Sequence, residues 1–148
     1  MSRKQQQRGI TLLLAVLLSS ILIAIGLAIF NITIKELLLS SIGRESQFAF
    51  YAADTGTECA LYWDQKGNAF STSTDTSITC DNQVITVTQA PLNTPTTFQF
   101  DVDGYCAIVT VTKSDVHPRT KIESRGYNTT CEADANPRRV ERALRVTY

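Results

Sequence analysis

The chain has 148 residues, with 14 Lys+Arg against 14 Asp+Glu, a formal net charge of zero and 43% hydrophobic residues. That length holds one small domain beside an anchoring segment and excludes a large multidomain enzyme. Zero net charge argues against nucleic acid as a partner bound through counterion release.

The average conceals a division, because 19 of the 25 positions from Ile10 to Ile34 are hydrophobic. No charged residue lies between Arg8 and Lys35, leaving a 26-residue stretch from Gly9 to Ile34. At about 1.5 Å per residue a helix of that length measures roughly 39 Å, enough to cross a bilayer. Arg3, Lys4 and Arg8 precede it, whereas Lys35 and Glu36 cancel after it. The positive-inside rule therefore predicts a single pass through the inner (cytoplasmic) membrane, with the N-terminus in the cytoplasm and the body outside. A cleaved secretory signal fits poorly: cutting after Gly26 would leave Leu27, Ala28, Ile29, Phe30, Ile32 and Ile34 as an exposed apolar terminus.

The order of features at the start is more specific. A short polar and basic leader, KQQQRG, runs directly into ITLLLAVLLSS. This resembles the prepilin leader of type IV pilins and type II secretion pseudopilins. The resemblance implies that a prepilin peptidase cuts between Gly9 and Ile10 on the cytoplasmic side, and that the new N-terminal residue, Ile10, is methylated. Gly9 has no Cβ to obstruct an extended backbone in a protease cleft. The family usually carries Phe where this chain has Ile10, and Glu at the fifth mature position, which here is Leu14. Members without that Glu are minor subunits of the PilX and GspK types, placed at a filament tip. Removing residues 1–9 also removes Arg3, Lys4 and Arg8, leaving 11 Lys+Arg against 14 Asp+Glu, a side-chain sum of −3.

Beyond the apolar stretch, Ile34, Leu38, Ile42, Ala49, Ala52, Gly56, Cys59 and Trp63 recur at helical spacing, and no Pro occurs before Pro91. The pattern predicts one helix from about Thr11 to about Tyr62, its membrane half spanning 10–34 and its amphipathic half 35–63. Gly26 and the Asn31-Ile32-Thr33 triplet weaken helix propensity within it; in pilins such a place lets the stem extend during assembly. The segment QFAFYAADTGTECALYW resembles the end of the N-terminal helix in PilX-type minor pilins, through Ala49, Phe50, Ala52, Ala53, Asp54 and Gly56. Small residues at 49, 52, 53, 56 and 60 admit a sheet close to the helix, with Phe48, Phe50, Tyr51, Tyr62 and Trp63 expected to fill the edges.

Residues 64–148 read as a β-rich body. FSTSTDTS at 70–77 reads as a polar loop. Strands are predicted at Val84–Thr88, Thr96–Val102, Tyr105–Thr112, Arg119–Tyr127 and Arg138–Tyr148. Asp103-Gly104 is a type I′ hairpin turn, which sets Val102 opposite Tyr105, Phe100 opposite Ala107 and Phe98 opposite Val109. Phe98, Phe100, Val102, Tyr105, Ala107, Val109 and Val111 then share a buried face. Thr97, Gln99, Asp101, Cys106, Thr110 and Thr112 share a wet one, with only Ile108 apolar, as expected of a sheet covered on one side by a helix. In the last strand Val140, Leu144, Val146 and Tyr148 are expected to point inward, with Arg142 breaking the alternation. The expected class is α+β, a pilin-like fold with a long N-terminal helix packed on a small antiparallel sheet.

Cys59, Cys80, Cys106 and Cys131 all follow the apolar segment, and an even number in a small exported body predicts two disulfides. Three pairings are possible. Cys59–Cys80 with Cys106–Cys131 is favoured because it joins neighbours across short loops. A zinc site is disfavoured by the lack of a CxxC pair and by a single histidine, His117. Asp101, Asp103 and Gly104 form a DxDG fragment without the rest of a calcium loop, and the hairpin turn already accounts for it. Arg138, Arg139, Arg142 and Arg145 read as a solvated strand face in preference to a DNA-binding patch. The triplets opened by Asn31 and Asn128 match a glycosylation pattern that is frequent by chance. No GxSxG, HExxH or GxxxxGK motif occurs. The sequence thus predicts neither catalysis nor a cofactor or metal. The resemblance implies as partners the prepilin peptidase, other pilins or pseudopilins and the inner membrane, and names no ligand for the tip.

Overall fold

The computed structural model describes residues 3–71, 74–133 and 136–148, with side chains described from Ile10 onward. Met1 and Ser2 of the expected leader, and Thr72 and Ser73 of the polar stretch, lie outside the described residues. The protein is α+β: one long N-terminal helix, α1 (Arg3–Gly67), followed by six strands. These are β1 (Thr76–Cys80), β2 (Gln83–Val87), β3 (Pro95–Val102), β4 (Tyr105–Lys113), β5 (Thr120–Tyr127) and β6 (Glu141–Thr147). The chain divides into two compact units between Ile42 and Gly43.

The first unit is helical throughout its described length, and its backbone continues without interruption through Gly26 and Asn31–Thr33. Its large apolar side chains face outward, from Ile10 at 65% exposure to Ile42 at 56%. The polar side chains among them bond back to their own helix. Ser19 Oγ donates to the Val16 carbonyl at 3.0 Å, Ser20 Oγ to Leu17 at 2.8 Å and Thr33 Oγ1 to Ile29 at 3.0 Å. Such back-bonding removes the main cost of placing a hydroxyl in hydrocarbon. α1 is the one helix among the described residues long and apolar enough to cross a membrane.

In the second unit, residues 43–67 of α1 pack on the antiparallel sheet β3-β4-β5-β6, with β1-β2 as a separate hairpin. The β3–β4 register pairs Val102 with Tyr105, Phe100 with Ala107 and Phe98 with Val109, as the alternation requires. Asp103 (φ 49°) and Gly104 (φ 85°) both take the left-handed conformation that a type I′ turn demands. Phe98, Phe100, Ala107, Val109, Val111 and Ile122 are buried with Ala60 of the helix in one core. Phe98 stacks between Phe70 and Phe100, with ring centroids 5.8 and 6.3 Å apart.

The stretch at 70–77 departs from the expected loop. Phe70 is buried, and Thr76 and Ser77 open β1, which pairs with β2 from Thr76↔Val87 to Cys80↔Gln83. Ser and Thr made this stretch resemble a turn, but alternation places Ile78 and Cys80 in the core and leaves the hydroxyls to solvent. Trp63 Nε1 donates to the Thr79 carbonyl at 2.9 Å, tying the hairpin to the helix. Val84 is exposed at the hairpin, while Val87 is buried.

The last strand is shorter than expected, because residues 128–133 and 136–140 belong to an arm on the outer face that precedes β6. Leu144 and Val146 are half-buried, and Tyr148, 38% exposed at the strand end, turns its hydroxyl inward to Asp64. Arg142 breaks the alternation by reaching from the helix-facing side to Ser46, its Nε donating to Oγ at 2.7 Å.

Candidate functional site

Two features of the chain invite a functional reading: the apolar surface of the first unit, and the helix–sheet seam with its two disulfides in the second.

In the first unit Leu12, Leu13, Leu14, Leu17 and Leu18 follow Ile10, each more than half exposed. Gly9 and Ile10, where the sequence leads one to expect cleavage, both lie within the helical backbone of α1. Leu14, four residues beyond Ile10, places an apolar side chain on the surface, 57% exposed. From Ile10 to Ile42 the run measures about 50 Å along a helix, beyond the roughly 30 Å of a bilayer core. Leu37, Leu38, Leu39 and Ile42, which follow Lys35 and Glu36, are therefore apolar surface in excess of what one membrane crossing needs.

In the second unit the small residues of α1 form the seam. Ala49, Ala52, Ala53 and Ala60 are at most 1% exposed. A Cβ at Gly56 would collide with Ser124 Oγ and lie 2.8 Å from Val109 Cγ2. Two residues of the expected packing motif belong elsewhere. Phe50 is 44% exposed, and its ring meets Tyr51 edge to face at 6.1 Å, on the outside of the helix. Asp54 is half-buried at the flank. At about 100° per residue, position 50 has already turned away from the Ala49–Ala53–Gly56 line, and Tyr51 and Tyr62 lie further round still. Of the edge aromatics, Phe48 stacks on Tyr105 with centroids 4.7 Å apart, and Trp63 packs against the core.

The closest approach of sheet to helix comes from Gly126, which the helix pattern does not disclose. A Cβ there would overlap the Ala49 carbonyl oxygen and the Ala53 amide nitrogen, and would lie 3.0 Å from the Ala52 carbonyl carbon. The signal was available in the strand itself, since an isolated Gly inside a β pattern marks close backbone approach.

Cys59 pairs with Cys80 at a Cα–Cα distance of 5.9 Å, joining α1 to the end of β1. Cys106 pairs with Cys131 at 4.7 Å, joining the outer face of β4 to the arm. The arm is further held by Asn128, whose amide donates to Glu45 at 3.1 Å and whose Oδ1 accepts from Val140 N at 2.7 Å. Arg139 lies over the Tyr127 ring at 3.7 Å, and the Tyr127 hydroxyl donates to Glu141 at 2.7 Å. Burial, reinforced by that acceptor, pushes the Tyr127 phenol above its ordinary value. The outer face is thus covered at its Cys106–Tyr127 end and polar elsewhere, as where Thr97 and Thr110 share a hydrogen bond at 3.1 Å.

Asp101, Cys106 and Cys131 gather their ligand-type atoms within 4.8 Å. Both sulfurs are spent in the disulfide, and Asp101 Oδ1 accepts the Cys131 N–H at 2.8 Å, so the group is a cap on the arm. Asp103 and Gly104 belong to the turn, and His117 to the exposed loop between β4 and β5. The arginine run is dispersed: Arg139 covers Tyr127, Arg142 reaches Ser46, and Arg145 binds Glu123 on the opposite face. Lys121 and then Arg145 hold the Glu123 carboxyl below its ordinary range.

At the C-terminal end of α1 a buried polar cluster closes the seam. Asp64 is 8% exposed and meets Lys113 Nζ of β4 at 2.6 Å, while the Tyr148 hydroxyl donates to Asp64 Oδ2 at 2.6 Å. Lys113 also donates to Thr120 Oγ1 at 3.0 Å.

These features define a chain with an apolar anchor-length helix whose continuation forms the spine of a disulfide-joined antiparallel body. Comparison with protein-family models, curated proteins and solved structures finds no match to this chain.

Proposed function

We propose that this chain is a minor pilin or pseudopilin, a subunit of a type IV pilus or type II secretion-like filament that acts in assembly initiation or tip contacts. The observation that carries the reading is the division of labour along α1. Residues 10–42 present a largely apolar surface longer than a bilayer requires, and residues 49–63 carry the face, Ala49, Ala52, Ala53 and Ala60, that is buried in the body. A helix of this kind passes from lipid to the interior of a filament by exchanging one apolar environment for another. The basic leader ending at Gly9 supports cleavage before Ile10 and methylation of the Ile10 amine by a prepilin peptidase. Insertion in the inner membrane with the N-terminus in the cytoplasm, followed by extraction into an extracytoplasmic filament, completes the reading. Leu14 supports a minor role, since it offers no carboxylate to a neighbouring N-terminal amine.

The rival is an uncleaved, signal-anchored extracytoplasmic binding domain that never polymerises. It draws on the helical backbone continuing from Arg3 through Gly9 without a break.

Intact-mass measurement of the full chain coexpressed with a prepilin peptidase separates the two. Loss of residues 1–9 with gain of one methyl group is expected. An unprocessed chain would sink the filament reading and leave the anchored domain. Purified filaments in which this chain is the bulk subunit would overturn the minor role.

A further inference from the structure

A cleft of about 320 Å³ opens on the second unit between α1 and the β3–β4 hairpin, lined by Phe48, Tyr51, Thr55, Val102, Asp103 and Tyr105. Its walls are aromatic: the Phe48 and Tyr105 rings lie stacked within 10° of parallel, and Tyr51 stands 63% exposed beside them. Its only carboxylic side chain is that of Asp103. Among the described residues Asp103 makes no ion pair, and its place in the left-handed turn fixes it at the cleft. The cleft contains no lysine, arginine or histidine.

From this geometry we infer that the cleft is a binding site for the guanidinium of an arginine presented by a protein partner. Aromatic faces carry negative quadrupole density and attract a cation, and guanidinium, being planar and weakly hydrated, stacks on rings more readily than ammonium. A carboxylate at the rim supplies the opposite charge and accepts its forked N–H donors. The Thr55 hydroxyl already donates to the Tyr51 carbonyl at 2.9 Å, which leaves its oxygen free to accept. The chain uses the same chemistry internally, where Arg139 covers Tyr127 next to Glu141. This site stands whether or not the chain enters a filament.

The test is titration of the full chain, in nanodiscs of lipids lacking choline, with N-acetylarginine amide, observed by NMR of ring-labelled Tyr and Phe. Saturable shifts at Tyr51, Tyr105 and Phe48 are expected, with N-acetylcitrulline amide, the uncharged isostere, binding at least tenfold more weakly. Asp103→Asn keeps the left-handed turn, because Asn tolerates that conformation, and should weaken the arginine probe about tenfold while leaving the citrulline probe unchanged. Tyr51→Ala, at an exposed position outside the core, should weaken it as well. Equal binding of the two probes, no saturable shift, or an Asp103→Asn chain that binds arginine as before would each overturn the assignment. Shifts produced by choline lipids alone, with none from the arginine probe, would overturn it in favour of a headgroup site.

Discussion

Gly126 of β5 lies against Ala49 of α1 with no room for a side chain between their backbones, since a Cβ on Gly126 would overlap the Ala49 carbonyl oxygen. The obstacle is backbone on three sides, from Ala49, Ala52 and Ala53, and cannot swing aside as a flexible side chain would. Gly126→Ala should therefore destabilise the body by about 3 kcal/mol or more, near the upper end of overpacking costs. Gly43→Ala is the contrast, because nothing lies within 4 Å of that position on the helix. It should stabilise by up to about 1 kcal/mol through helix propensity. Denaturant unfolding followed by near-UV circular dichroism measures both, and a neutral Gly126→Ala would show that the seam is looser than described.

Ser124, one turn of the pleat away, is 0% exposed, and its hydroxyl has no hydrogen-bond partner among the described residues. It faces Gly56, where only a small side chain fits. A buried hydroxyl without a partner costs about 1–3 kcal/mol. Ser124→Ala should accordingly leave stability unchanged or raise it, in the same unfolding assay. A loss above about 1 kcal/mol would mean that the hydroxyl is satisfied in solution.

The Asp64–Lys113–Tyr148 cluster predicts a stability loss in alkali. Burial, then the hydrogen bond to Asp64 and its negative charge, pushes the Tyr148 phenol well above its ordinary value. The folded state thus holds this proton more tightly than the unfolded chain does. Its contribution is fully present below about pH 10 and is lost as pH rises beyond that value. Tyr148→Phe should be less stable than the parent at neutral pH and should show a shallower decline above about pH 10, the residual slope coming in part from Tyr127. Parallel pH profiles for the two chains would remove Tyr148 from the linkage. Lys113→Met, which strands the buried Asp64 carboxylate, should cost about 3–5 kcal/mol, and adding Asp64→Asn should recover part of it.

The two disulfides close loops of 21 and 25 residues. Chain-entropy arguments assign about 3 kcal/mol to each. Replacing Cys59 and Cys80 together by Ser should lower stability by that order and loosen the β1–β2 hairpin. Replacing Cys106 and Cys131 should instead release the arm and expose Tyr127. A non-reducing peptide map that links Cys59 to any residue except Cys80 would refute the connectivity.

Features carried by short-range pattern are legible in the sequence itself. The uncharged run before Lys35 defines an anchor-length helix from length and hydropathy alone, and the small residues from Ala49 to Ala60 mark the seam through helical spacing. Asp103-Gly104 with flanking alternation specifies the β3–β4 register, because a two-residue turn leaves one pairing that buries the aromatic face. Tertiary structure decided what has no local footprint. Thr76 and Ser77 became strand because a partner, β2, satisfied their backbone. Phe50 faces outward because the sheet occupies only the narrow line Ala49–Ala53–Gly56. Arg142 meets Ser46, and Tyr148 meets Asp64, across 96 and 84 residues of chain. Periodicity reports which side of an element is apolar, whereas the choice of partner for a polar group depends on where distant segments arrive, and that is settled only when the core closes.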